Sequence, residues 1–472
     1  MSRPPPTGCT ALPLQQAERP PAQPAYVFRG HSAQVHAVRF VRHNSRLLTG
    51  DADGWAVLWN LATKRPAAVW RAHQSALLGF GDWGGDNLIT HGRDFHIRVW
   101  QLRPTDESQL STVLPVEDAT TERKNPWLLH ALRVNTLNFC SFAMCSELAT
   151  SPATPSATVD SVLIAVPGVR DDEVDVFQLP SERRVSTVPN IGQKTGMAMA
   201  LSLIHRPSPS GAHLHCISAY ESGAAAVHAF DATSTTWSRI YTSQPHSQPV
   251  LSLSPSPSLH DITFFTSGAD DVVAKHFIPL ARPEVPPPAK PAAPAQPSSS
   301  TADAKPKSLL SAALAAQPPE VSSAASPQQP SPTPVEPVKV VRTKHSGQQS
   351  LTVRSDGRIL ATAGWDGRVR VYSVKSMKEI AVLAWHKEGC YATAFADVGA
   401  PEGEIVESGG GHGHVDAKGP DGSGGGEAIV KSDGQRQVGR MTVRSRRDER
   451  ARSVHWIAVG SKDGKVSLWE VF

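Results

Sequence analysis

No apolar run in this chain approaches the ~20 residues that a helix needs to cross a bilayer. The first 25 residues are rich in proline and lack the basic and apolar regions of a secretory signal. Cysteine is scarce: Cys9, Cys140, Cys145, Cys216 and Cys390 are odd in number and show no CxxC spacing. That excludes a disulfide framework and points to a reducing compartment. Neither sign of charge dominates. The net charge of +4 over 472 residues is too small to imply direct nucleic-acid contact. Catalytic signatures are missing too, with no phosphate-cradling GxxxxGK[ST] and no GxSxG turn. His412 and His414 stand in a Gly-rich tract without Cys or His partners, so no metal or cofactor is expected.

What the chain does have is a repeat. An Asp stands six residues before an aromatic residue in six places: Asp53 and Trp59, Asp94 and Trp100, Asp171 and Phe177, Asp271 and Phe277, Asp366 and Tyr372, Asp463 and Trp469. Between them lie short strand-like runs such as Gly54-Trp-Ala-Val-Leu-Trp59, entered through a tight turn. A His recurs about twenty residues upstream: His31, His73, His246, His345 and His386. A hydroxyl precedes the Asp by four residues at Thr49, Thr90, Ser267 and Thr362.

This unit resembles the WD repeat, a four-stranded blade that cannot bury both faces alone and must stack with others around an axis. The resemblance implies that His, hydroxyl, Asp and aromatic form a buried hydrogen-bonded tetrad, a structural role rather than a catalytic triad. His31, Thr49, Asp53 and Trp59 make a full set, as do His73, Thr90, Asp94 and Trp100. In His246, Ser267 and Asp271 the indole is replaced by Phe277; in His345, Thr362 and Asp366 it is replaced by Tyr372. The last set, His386, Asp463 and Trp469, has Val459 at the hydroxyl position. The repeat at Asp171 has Pro167 there and no clear His. A further blade is read from Leu214–Tyr220 and Ala224–Phe230, with Ala224 in place of the Asp.

The expectation is therefore an all-β, seven-bladed propeller. Blades 1–5 occupy residues 26–280 and blades 6 and 7 residues 338–472, with Tyr26–Phe28 supplying the outer strand that blade 7 lacks after Trp469. Residues 1–25 and the Pro/Ala/Ser-rich stretch 281–337 are expected to be disordered. Residues 398–451 are read as a flexible insertion between two paired strands of blade 7. Its basic run, Arg444–Arg452, is read as a solvated loop diluted by Asp448 and Glu449.

More specific strings lie in the first hundred residues: Phe28-Arg-Gly-His31, Val69-Trp-Arg-Ala-His73 and Thr90-His-Gly-Arg-Asp94. With Val459-Gly-Ser-Lys-Asp-Gly-Lys-Val-Ser-Leu-Trp469, they resemble the fungal ASTRA-associated protein family, related to animal G-protein-β-like WD proteins. The resemblance implies a non-catalytic nuclear subunit, with the cytoplasm also allowed. Its implied partners are a large kinase-related protein of the phosphatidylinositol-3-kinase-related class, that protein's co-chaperones and a pair of AAA+ ATPases. The chain would be monomeric within this hetero-complex, away from membranes, with a role in chromatin regulation and kinase maturation. A G-protein-β-like signalling scaffold would need an N-terminal coiled-coil helix, which the prolines of residues 1–25 forbid. A cullin-type substrate receptor would carry a Trp-Asp-x-Arg box; Trp100-Gln-Leu-Arg103 lacks the Asp. Partner binding is placed on the tight-turn face, where the residues before each turn Asp are Ala52, Arg93, Asp270, Trp365 and Lys462, with Arg93 and Trp365 the main candidates.

Overall fold

Runs of Val, Ile, Leu and aromatic residues, cut by Gly, Asp and Asn at short intervals, form strands because branched and aromatic side chains pack well on a pleated surface. The computed structural model describes residues 22–136, 139–147, 161–192, 194–208, 211–258, 261–279, 335–399 and 442–471. It contains β1 (Tyr26–Arg29), then blade 1: β2 (Val35–Val41), β3 (Arg46–Asp51), β4 (Trp55–Asn60) and β5 (Arg65–Arg71). Blade 2 comprises β6 (Leu77–Trp83), β7 (Asn87–Gly92), β8 (His96–Gln101) and β9 (Trp127–Arg133). Blade 3 comprises β10 (Ala143–Ser146), β11 (Val162–Pro167), β12 (Val174–Leu179) and β13 (Arg183–Val188). Blade 4 follows with β14 (Ala198–Ser208), β15 (Gly211–Tyr220), β16 (Ala225–Asp231) and β17 (Thr236–Ser243). Blade 5 holds β18 (Val250–Pro255), β19 (Ile262–Gly268), β20 (Val272–Ile278) and β21 (Lys339–Arg342). In blade 6 are β22 (Gln348–Val353), β23 (Ile359–Gly364), β24 (Arg368–Ser373) and β25 (Glu379–Ala384). Last come β26 (Cys390–Phe395), a helix α1 (Val443–Ser453), β27 (Trp456–Ser461) and β28 (Lys465–Glu470).

Each sheet is antiparallel and four-stranded, and the seventh has the order β1-β28-β27-β26. Tyr26 pairs with Leu468 and Arg29 with Lys465, so the earliest strand completes the last blade. The strands flanking residues 396–455 pair directly, from Cys390 with Ser461 to Phe395 with Ile457. The first strand of each blade lies innermost and the fourth outermost.

The core lies between blades rather than within them. Blade 1 packs on blade 2 through Leu58, Trp70, Leu77 and Phe80. Blade 7 packs on blade 1 through Val466, Leu468, Val35 and Trp59, with Phe28 of β1 wedged among them. The Phe28 and Trp59 ring centroids are 4.7 Å apart.

Because the strands alternate in direction, the first-to-second and third-to-fourth connections of every blade share one face of the ring. The second-to-third turns and the links between blades share the other. Residues 280–334 join β20 to β21 and residues 400–441 join β26 to α1. Both segments, like residues 1–21, fall outside the described residues, so the expectation of disorder there concerns residues the structure does not describe.

The basic run is not a solvated loop: it is α1. Thr442 caps it by accepting from the Ser445 backbone N–H. Ala451 is buried, and its carbonyl accepts from Trp456 Nε1 at 3.0 Å. Asn44, in the β2–β3 turn, donates to the carbonyls of Asp397 and Arg452 and accepts from the Asp397 N–H. The two ends of the insertion are thus clamped to blade 1. Arg42, His43 and Asn44 all have positive φ, a conformation held by these bonds and by Arg42 pairing with Glu107.

The β1–β28 pairing carries a direct expectation. Deleting residues 1–30 should expose the edge of β28 and remove Phe28, whose burial alone is worth about 1.5–3 kcal/mol. Deleting residues 1–22 should leave the chain unchanged. Thermal melts and light scattering should show a large loss of stability with aggregation for the first deletion only.

Candidate partner-binding face

The tight-turn face rests on the buried histidine networks, which set where each turn points. Blade 2 has the complete set. His73 bonds Asp94 at 2.8 Å and Thr90 at 2.7 Å, and Trp100 Nε1 donates to Thr90 at 2.9 Å. An ionised Asp94 can only accept, so His73 Nδ1 donates; Nε2 of the neutral ring then accepts, so Thr90 donates to it while accepting from Trp100. Burial holds His73 below its ordinary value. Burial alone would raise Asp94, but the bonds from His73, Arg98 and the Gln74 N–H keep its carboxyl well below the usual carboxylate range.

In blade 1 the acid is Asp51, not Asp53. His31 bonds Asp51 at 2.7 Å and Thr49 at 2.7 Å, and Trp59 donates to Thr49 at 2.9 Å. Asp53 is exposed in the turn, and its N–H, like that of Trp55, donates to Asp51 Oδ1. Two acids bracket Ala52, and the one at the strand end faces inward.

Blade 5 is displaced by one residue from the sequence reading. His246 bonds Asp270 and Thr266, each at 2.9 Å, and Thr266 bonds His276 at 3.0 Å. Tyr241 of blade 4 reaches the other nitrogen of His276 at 3.0 Å. Ser267 instead donates to the Gln348 carbonyl, Asp271 pairs with Arg342, and Phe277 is exposed. A one-residue shift in a strand exchanges its faces. The shared pattern Thr90-His-Gly-Arg-Asp94, Thr266-Ser-Gly-Ala-Asp270 and Thr362-Ala-Gly-Trp-Asp366 carries the correct frame. It also removes Asp270 from the rim, where Ala269 stands instead.

The remaining blades rebuild the network with other atoms. In blade 6, Thr362 donates to Gln348 Oε1 at 2.8 Å, while His345 is half-exposed and 3.7 Å from Asp366. Asp366 is held by Arg370. In blade 7, Ser467 of β28 replaces the hydroxyl missing at Val459, bonding both His386 and Trp469 at 2.8 Å. The blade 4 turn is Glu221-Ser222-Gly223, so Ser222 rather than Ala224 stands in for the acid and His228 rather than Phe230 for the aromatic. Gly223 has φ +89°, and a Cβ there would lie 2.3 Å from the His246 carbonyl oxygen of the next blade. Gly54 meets the His73 carbonyl in the same way, at 2.0 Å. Each of these turns seats on the histidine of the following blade.

Above this layer, at the innermost strands, a cavity of about 280 Å³ opens on the tight-turn face, lined by Gln34, His36, Leu78, Phe139, Gln349, Trp365 and Tyr391. His36 stacks on Tyr391 with centroids 5.4 Å apart and planes 5° from parallel. Burial lowers the His36 imidazole below its ordinary value, against the pull of Asp51. Trp365 is 47 % exposed and lies against Gly347 of its own blade, where a Cβ would be 2.1 Å from the ring. Its Nε1 donates to Gln349 Oε1 at 2.8 Å. Arg93 is exposed at the surface, and its guanidinium sits 4.4 Å over the Phe139 ring. Arg93 and Trp365 thus flank one aromatic mouth. Sequence reasoning missed His36, Phe139 and Tyr391, which come from three separate stretches of chain.

The opposite face bears a larger cleft of about 730 Å³, lined by mixed charges that include Arg39, Arg46, Asp82, Asp448 and Arg452. Among the described residues no group of three or more His, Cys, Asp or Glu is placed to hold a metal ion. His412 and His414 lie outside them. Burial pushes the Cys145 and Cys216 thiols up to about 12, and those of Cys140 and Cys390 higher still, which leaves them poor nucleophiles. None of the helices among the described residues is long and apolar enough to cross a membrane.

A family model described as WD domain, G-beta repeat matches residues 22–60 and 336–373. Each match joins the outer strand of one blade to three strands of the next, so the sequence repeat is offset by one strand from the blade. ASTRA-associated protein 1 of Pyricularia oryzae is 45 % identical over 96 % of this chain and 98 % of its own length. That of Verticillium alfalfae is 43 % identical over 95 % and 93 %, and that of Aspergillus niger 39 % over 97 % and 99 %. The chain belongs to the ASTRA-associated protein 1 family. The likeness runs through residues 103–240, where the repeat motifs are sparse.

Two expectations follow from the networks of this family member. Asp51→Ala should lower stability in urea by about 1–3 kcal/mol by leaving His31 without its acceptor, whereas Asp53→Ala should be near neutral. The second concerns acid. Burial holds His91 and His276 down at about 3, and His215, His228 and His386 at about 4. Unfolded imidazoles titrate near 6.5, so below that pH the unfolded chain binds more protons than the folded one. Stability should therefore fall from pH 6.5 towards 4, by up to about 1.4 kcal/mol per histidine per pH unit. Urea midpoints at pH 7.5 and 5 would measure it; equal midpoints would contradict the buried neutral imidazoles.

Proposed function

We propose that this chain is a non-catalytic scaffold subunit of the ASTRA complex, acting in the nucleus in chromatin regulation and in the maturation of phosphatidylinositol-3-kinase-related kinases. The observation that carries this reading is the near-full-length likeness to proteins named ASTRA-associated protein 1. In keeping with a docking role, the tight-turn face presents exposed Trp365 and Arg93, residue types that dominate interface hot spots. The partners proposed are the large kinase-related subunit, its co-chaperones and the AAA+ ATPases.

Native purification of the tagged chain followed by mass spectrometry tests the assembly. Recovery of a cullin adaptor or a Gγ chain in place of kinase-related and AAA+ proteins would overturn it. Trp365→Ala and Arg93→Ala should each reduce partner recovery by about tenfold without lowering the melting temperature. Full recovery with both variants would move the docking site off this face.

A further inference from the structure

Every blade ends on an outer strand that has no sheet neighbour on one side, and such an edge offers its backbone N–H and C=O groups to any passing chain. Three of these edges are met by another piece of this chain. The Val69 N–H of β5 donates to the Ser111 carbonyl at 2.8 Å, the Val116 N–H donates to the Gly30 carbonyl beside β1 at 3.1 Å, and the Val335 N–H donates to the Thr242 carbonyl of β17 at 2.8 Å. Three others carry charge that discourages pairing: Arg183 and Arg184 in β13, Lys339 and Arg342 in β21, and Glu379 in β25.

The outer strand of blade 2 has neither device. β9 reads Trp127-Leu-Leu-His-Ala-Leu-Arg133, with its one full charge at the end. Among the described residues it pairs with β8 alone. Trp127 is 72 % exposed, and Leu128 and Leu129 beside it are exposed too. A free edge bearing large apolar side chains is a liability in water unless something covers it.

The surroundings define the chemistry of the cover. Arg133, at the front end of β9, lines a cavity of about 340 Å³ between blades 2 and 3, walled by Val134, Val166, Val169 and Phe177. The one carboxylate there, Asp175, is already held by Arg184 and Thr187, so Arg133 is left without an acid. His130 in mid-strand is taken by Glu182 at 2.9 Å. A strand laid on this edge therefore meets apolar side chains along its length and an unmatched guanidinium at one end.

We propose that the outer edge of blade 2 docks an extended segment of a partner protein, apolar along its length and acidic where it reaches Arg133, which adds to β9 as a fifth strand. The partner would do for blade 2 what the chain does for itself on blades 1, 4 and 7. This surface is separate from the tight-turn face.

Hydrogen–deuterium exchange tests the proposal by comparing the full chain alone with the native assembly purified through a tag on it. Successive amides of an edge strand point alternately toward and away from its neighbour, so part of residues 127–133 should exchange fast in the chain alone. In the assembly these amides should slow by about tenfold or more. A photo-cross-linking residue in place of Leu129 should join the chain, in cells, to a partner segment rich in large apolar residues and containing Asp or Glu. Trp127→Lys and Leu128→Lys should remove the protection without lowering the melting temperature, and Arg133→Glu should weaken the cross-link about tenfold. Slow exchange already in the chain alone, unchanged exchange in the assembly, or recovery of the chain alone would each overturn the proposal. So would a cross-link to a second copy, to the chain's own residues, or to a segment without an acid. The wild-type exchange comparison decides the matter even if a variant fails to fold. Protection of β9 in an assembly without kinase-related and AAA+ proteins would keep the docking edge and remove the ASTRA reading. An assembly that holds those proteins while β9 exchanges freely would do the reverse.

Discussion

The pairing of Tyr26–Arg29 with Lys465–Leu468 is the contact on which the ring depends. A four-stranded blade has two apolar faces and one inner edge, and each finds its complement only in a neighbour. The apolar clusters sit between blades for this reason. Opening the ring at one place would strip cover from blade 7 and blade 1 together, because Phe28 lies against both Val466 and Trp59. The offset between sequence repeat and blade makes that closure possible. A chain that starts on an outer strand must return to it.

Within the blades, the constant element is a buried hydroxyl that receives from one side and gives to the other. Thr49, Thr90 and Thr266 each bond a histidine and a second ring donor. The histidine itself is replaceable: Gln348 serves Thr362 in blade 6. The strand that carries the hydroxyl is replaceable as well, since Ser467 sits beside Trp469 rather than across from it. The sets of blades 1, 2 and 5 are fully bonded, as a buried network must be to stabilise, whereas in blades 4 and 7 the His228 ring and His386 Nδ1 have no hydrogen-bond partner. Blade 4, where Ser222 stands in for the acid, keeps its turn through the positive φ of Gly223.

The propeller, its blade number and its closure were legible in the sequence because they rest on period-two patterning and on a repeat far longer than any local ambiguity. The tetrads were legible less evenly. Where two acids stand close together, as at Asp51 and Asp53 or Asp270 and Asp271, counting back from an aromatic cannot tell inward from outward. A strand face changes with every residue. In blade 5 the count failed outright because the inward ring is a histidine, His276, beside an outward Phe277. The helix at Val443–Ser453 was hidden by its composition. Its charged surface reads as a loop, and its ties to the fold, the buried Ala451 and the bond from Asn44 to the Arg452 carbonyl, come from residues far away in sequence or with no distinctive pattern. The mouth was half visible. Trp365 stood out as a large apolar residue in a turn, but His36 and Tyr391 look like ordinary strand residues until the ring brings their blades side by side.

The alternation of strand direction gives the molecule a front and a back. The links that run between β20 and β21, and between β26 and β27, leave from the back, with Asn44 holding both ends of the latter. The front carries the tight turns and the aromatic mouth, and its connections between blades are short. Length added to either link therefore starts and ends behind the ring. A partner arriving at the front meets a surface shaped by short turns and short links between blades.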